Sequence, residues 1–165
     1  MKLPAVRYRL WALVLLLVAA HVVLRPRYFP SRYAPDFLMI ALLFFAVRSR
    51  PGAGAVAGFL VGLLTDAVAP SGFGAAAFAL TIIGYLAGWL KALVFPDNLL
   101  VTALFVFLAS WLRDALELAA SSALRSGGLG SWLLVTSPLS ALSTAAAALV
   151  VLLLFRGWLR TAPAL

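Results

Sequence analysis

The sequence predicts an all-α polytopic membrane protein, a bundle of about six transmembrane helices in a single domain covering residues 1–165. Three observations carry this. Apolar residues make up 65% of the chain and charged ones only 11%, against roughly 25% charged in a soluble domain. Mean hydropathy is +1.09. The apolar residues also fall in blocks separated by Arg, Pro, Gly and Asp, as lipid-spanning helices require.

The first block, about residues 10–24, ends at Arg25-Pro26, where a basic, proline-containing loop is expected to run to Pro35. It resembles a signal peptide in its basic start, but His21-Val22-Val23-Leu24 has no small-x-small cleavage site, so it is expected to remain as a span. The second block, 36–47, is short for a span of about 20 residues. It must be tilted, screened by neighbours, or extended at its ends. Arg48-Ser49-Arg50-Pro51-Gly52 turns the chain into the third block, 53–69, which Pro70 to Gly74 close. The fourth block is 75–94. Asp97 or Asn98 is suited to cap the fifth, 99–124. The glycine-rich segment from Ser126 leads to the sixth, 134–155.

Lys and Arg retained in cytoplasmic segments set orientation. Six spans place Lys2, Arg7, Arg9, Arg48, Arg50, Lys91, Arg156 and Arg160 on one side, and Arg25, Arg27, Arg32 and Arg125 on the other. Both termini are therefore expected in the cytoplasm. The net charge of +8 sits at block ends rather than on a soluble basic face, so it reads as topology and not as a nucleic-acid surface.

The chain has no cysteine and one histidine. Disulfides, thiolate metal sites, histidine metal clusters and cysteine nucleophiles are thereby excluded. No nucleophile with a base, no metal-ligand set and no phosphate loop accompanies the carboxylates, so no catalytic residue, metal or cofactor is expected. His21 reads as an interfacial anchor, as do most of the tryptophans; Trp111, in mid-block, is expected inside the bundle.

Gly54, Gly58 and Gly62 recur every four residues, and Asp66 continues their stripe. Such a face lets another backbone approach closely. Gly84 and Gly88 repeat the device in the fourth block, and the sixth is rich in Ser, Thr and Ala. The pattern serves an internal contact or a partner helix, including a second copy of the chain. The fifth block carries Ser110, Arg113, Asp114, Glu117 and Ser121 at helical spacing, a stripe that cannot face lipid. Arg113 and Glu117 are spaced for an intrahelical ion pair, leaving Asp114 for Arg25, Arg27, Arg32 or a partner. Asp36, Asp66 and Glu117 are expected to share the external side. The cluster Asp36, Asp66, Arg113, Asp114 and Glu117 is thus read as a partner-binding or structural site.

The run Pro35-Asp36-Phe37-Leu38-Met39-Ile40, the basic turn Arg48-Ser49-Arg50 and the ladder Gly54, Gly58, Gly62, Asp66 come in an order that resembles the MreD family of rod shape-determining proteins. Pro70-Ser71-Gly72-Phe73-Gly74 and Gly84-Tyr85-Leu86-Ala87-Gly88 continue the resemblance to about Lys91. It implies a noncatalytic inner-membrane component of the bacterial elongation (rod) complex. Such a component would bind the single-span protein MreC. Through MreC it would act with MreB, the glycosyltransferase RodA and a penicillin-binding transpeptidase in peptidoglycan synthesis and cell shape. The family is also similar in architecture to the substrate-binding components of energy-coupling-factor transporters. The competing expectation is therefore a solute-binding component of a vitamin-type transporter, with Asp36, Asp66 and Glu117 lining a pocket.

Overall fold

The computed structural model describes residues 4–28, 34–68, 73–92, 98–120 and 132–160. Among these residues the chain is helical and has no strand. Six α-helices follow one another: α1 (Pro4–Tyr28), α2 (Phe37–Ala46), α3 (Pro51–Val68), α4 (Ala75–Trp89), α5 (Leu99–Ala120) and α6 (Ser137–Arg160). One 3-10 turn, Leu90–Ala92, extends α4, and a π turn, Trp132–Thr136, leads into α6.

Local chemistry sets several of these ends. Asp36 caps α2, its Oδ1 accepting from the backbone N–H groups of Leu38 at 3.0 Å and Met39 at 3.1 Å. Asn98 does the same for α5, accepting from Leu100 and Val101; Asp97 lies outside the described residues. Pro51 opens α3, where a missing N–H costs nothing. Gly74 precedes α4 with φ +97°, a left-handed conformation that favours glycine.

The first expected break is corrected. Arg25 and Pro26 lie within α1, which continues to Tyr28, because a proline near a helix end removes one hydrogen bond without ending the helix. The loop expected from Arg25 therefore does not begin there; residues 29–33 lie outside the described part, as do 121–131, on which the expected end of the fifth block falls.

The 22-residue helix Leu99–Ala120 and the 23-residue stretch Leu133–Phe155 are long and apolar enough to cross a membrane. The apolar stretches of the other helices are shorter, Trp11–Val23 within α1 among them, and α2, with 10 residues, is the shortest helix. At 1.5 Å per residue, α2 measures about 15 Å, half of a hydrocarbon core of about 30 Å. Of the three accounts open for this block, screening is the one observed. Met39 to Phe44 and Ala46 are buried, and α2 packs against each of the other five helices. It forms the axis of the core with Leu13 and Leu17 from α1, Leu80 and Ile83 from α4, Val106 from α5, and Ala148 and Leu152 from α6.

The most extensive pairing is between α3 and α4, and glycine allows it. A Cβ placed on Gly54 would overlap the Gly84 carbonyl, one on Gly58 the Leu80 carbonyl, and one on Gly62 the Ala77 backbone. A Cβ on Gly88 would stand 2.7 Å from Pro51 Cα. The two glycine faces expected from the sequence meet each other within the chain. By contrast, α1 rests mainly on α2. Beside it, Trp11, Val14, Leu42, Phe45, Leu60 and neighbouring residues line an apolar cavity of about 200 Å³.

Candidate polar site joining four helices

The α2 cap is the centre of the site. While Asp36 Oδ1 accepts from Leu38 and Met39, its Oδ2 accepts a hydrogen bond from Arg113 Nη1 on α5. Arg113 Nε donates to Glu117 Oε1 at 2.7 Å, the expected pair one helical turn apart. One guanidinium thus holds two carboxylates. The planar fork of arginine suits this, since separate N–H groups address each acid.

Helix α1 contributes His21, whose Nδ1 lies 3.3 Å from Asp36 Oδ1. The same nitrogen is 3.4 Å from Leu38 N, but that N–H already has a shorter bond to Asp36. Nδ1 is therefore assigned as a donor to the carboxylate. Helix α6 contributes two hydroxyls. Thr144 Oγ1 accepts from the Asp36 N–H at 3.1 Å. Ser137 Oγ, fully buried, donates to Asp114 Oδ2 at 2.6 Å. Asp36, Arg113 and His21 are each about 15% exposed and Glu117 27%, so the network is mostly enclosed and reaches the surface at Glu117.

Breaking such a network is costly, because removing one member strands another in a poorly solvating environment, at roughly 3–5 kcal/mol for a buried pair. Its chemical role is cohesion: α1, α2, α5 and α6 are joined at one level by groups that lipid cannot satisfy.

Asp114, expected to seek Arg25, Arg27, Arg32 or a partner, accepts from the Ser137 hydroxyl; the three arginine side chains lie outside the described part. Two expectations are corrected here. Asp66 does not join the cluster. It is 4% exposed, and its carboxylate accepts from the backbone N–H groups of Gly74 at 3.0 Å, Ala76 at 3.1 Å and Ala77 at 2.9 Å. It fastens the α3–α4 turn at the positive end of the α4 dipole. Trp111 is not inside the bundle. It is 38% exposed and its indole N–H donates to the Leu133 carbonyl at 3.2 Å, because the outward face of α5 carries it beside Leu108 and Leu112.

Sequence reading missed His21, Ser137 and Thr144 as members of the site. His21 is the one polar residue between Trp11 and Leu24, which was a usable signal. The two hydroxyls carried none, since they sit in a stripe of Ser, Thr and Ala that packing explains equally well.

This fold and site define a helical membrane protein whose buried polar residues tie its helices together. The chain belongs to the MreD family: the model for rod shape-determining protein MreD matches residues 5–161, nearly the whole chain. No curated protein and no solved structure matches it. The family makes it a membrane protein of rod-shape determination.

Proposed function

We propose that this chain is a noncatalytic subunit of the bacterial elongation complex in the inner membrane. It binds the single-span protein MreC and so helps position peptidoglycan synthesis by RodA and a penicillin-binding transpeptidase relative to MreB filaments. The observation that carries this reading is the family match over residues 5–161. The site agrees with it, since Asp36, Arg113 and Glu117 are committed to one another and to joining helices.

Both termini lie in the cytoplasm in this reading, with Arg48, Arg50 and Lys91 on the same side. Helix α5 then runs outward. Arg113 stands about 21 Å along it from Leu99 at 1.5 Å per residue, which puts the network in the outer part of the bilayer.

Co-purification of the full chain with a tagged MreC-type protein from the same cell tests the proposal. Stoichiometric recovery in mild detergent is expected, and recovery no better than with an unrelated single-span protein sinks it. A solute-binding transporter component is the weaker reading, because it needs Asp36, Asp66 and Glu117 around one pocket, and Asp66 is tied to the α3–α4 turn. Native mass spectrometry showing a stoichiometric small molecule on the purified chain would restore it.

A further inference from the structure

The charges of the polar site do not balance. Asp36, Asp114 and Glu117 face a single guanidinium, and Arg113 is engaged by Asp36 and Glu117. His21 is the other ionisable group of the network, and it stands against Asp36. Even a protonated His21 leaves one carboxylate without a cation. That carboxylate is Asp114: among the described residues its hydrogen bond is to the Ser137 hydroxyl, and Arg113, near enough to attract it, makes its direct contacts with Asp36 and Glu117. Ionised side chains within a span are costly and take partners there. The helices packed on α5 supply no further cation near it, since residues 75–89 of α4 and 137–155 of α6 contain no Lys, Arg or His.

A second observation marks the same face. Ser110, one turn before Asp114, is only 7% exposed, and its Oγ has no hydrogen-bond partner. Buried hydroxyls are rarely left so. Ser110, Asp114 and Glu117 follow one another at spacings of four and three residues, which places them along one side of α5. Together they offer acceptor oxygens in excess of donors. Asp114 and Glu117 are each only partly buried, so these two carboxylates are reachable from outside the chain, while Ser110 is enclosed within it.

We propose that this stripe receives a basic side chain, Lys or Arg, from the membrane span of the partner, with Asp114 as its main counter-charge. The proposal rests on the reading of the chain as an MreC-binding subunit and specifies the chemistry of that contact. The incoming cation pairs with Asp114 and is shared with Glu117 at the exposed end. A cation in a span needs such an acceptor as much as the acid needs the cation.

The test is co-purification of the full chain with the MreC-type partner, comparing wild type with Asp114→Asn and Asp114→Lys. The asparagine keeps an oxygen for Ser137, so the isolated chain should still fold and insert, with its thermal midpoint measured beside recovery as the control for stability. Partner recovery should fall at least about tenfold, as for loss of a buried interfacial charge. Asp114→Lys should fall likewise and be restored by Lys→Glu or Arg→Glu at one position in the partner's span. Undiminished recovery with Asp114→Asn overturns the proposal. So does rescue of Asp114→Lys by a glutamate at Arg25, Arg27, Arg32 or Arg125 of this chain, which would make the cation its own. Failure of the wild-type chain to recover the partner instead removes the functional reading beneath it.

Discussion

Arg113 on α5 donates to Asp36, 77 residues earlier at the start of α2, and the same guanidinium holds Glu117 one turn further along α5. The buried core helix is thereby fixed in depth against a helix long enough to cross the membrane. Asp36 has two structural duties, capping α2 and pairing with Arg113, so the start of the short helix and the lock are one feature.

Arg113→Gln is expected to destabilise the chain by roughly 3–5 kcal/mol, because two carboxylates lose their cation. Glu117→Gln should cost less, since Glu117 is the most exposed member and its site stays partly solvated. Thermal unfolding in nanodiscs gives the order. A double-mutant cycle of Asp36→Asn with Arg113→Gln should return a coupling of at least about 0.5 kcal/mol, the lower bound for residues in direct contact. A coupling of zero would disprove the lock.

Gly58→Ala should force α3 and α4 apart, because the new Cβ overlaps the Leu80 carbonyl. Overpacking of this kind costs about 1–3 kcal/mol. Gly52→Ala, six residues earlier in the same helix, meets nothing within 4 Å and should leave the unfolding midpoint unchanged or slightly raised. Equal effects at the two positions would contradict the observed pairing.

Asp66→Ala removes the acceptor for three N–H groups at the start of α4. A loss of about 0.5–2 kcal/mol is expected from the missing cap. Because Asp66 is apart from the Arg113 network, its effect should add to that of Arg113→Gln. Strong non-additivity in unfolding midpoints would place Asp66 in the network after all.

Orientation is open to direct labelling, since the chain has no cysteine of its own. Lys91→Cys should react with a membrane-impermeant maleimide only after the cells are opened. Labelling in intact spheroplasts would invert the topology.

Several features were legible in the sequence for definite reasons. The glycine spacing of four is a helical period, so Gly54, Gly58 and Gly62 had to lie on one face wherever α3 packed. The Arg113–Glu117 pair is local to one helix and follows from its geometry. Asn98 before an apolar run is a cap signal in itself. The pairing of Arg113 with Asp36, the release of Asp66 to the α3–α4 turn and the entry of His21, Ser137 and Thr144 were not legible, because each depends on which helices are neighbours.

By itself, then, the sequence determined the all-helical membrane class, the order of the six apolar blocks and the presence of a charged stripe that lipid cannot accept. These follow from composition and from periods along one chain. Only the tertiary structure decided which carboxylate meets which cation and which helix is wrapped by the others. A 10-residue apolar helix is the same string whether it faces lipid or protein; burial by its five neighbours makes α2 the core of this protein, and the Asp36–Arg113 pair holds it there.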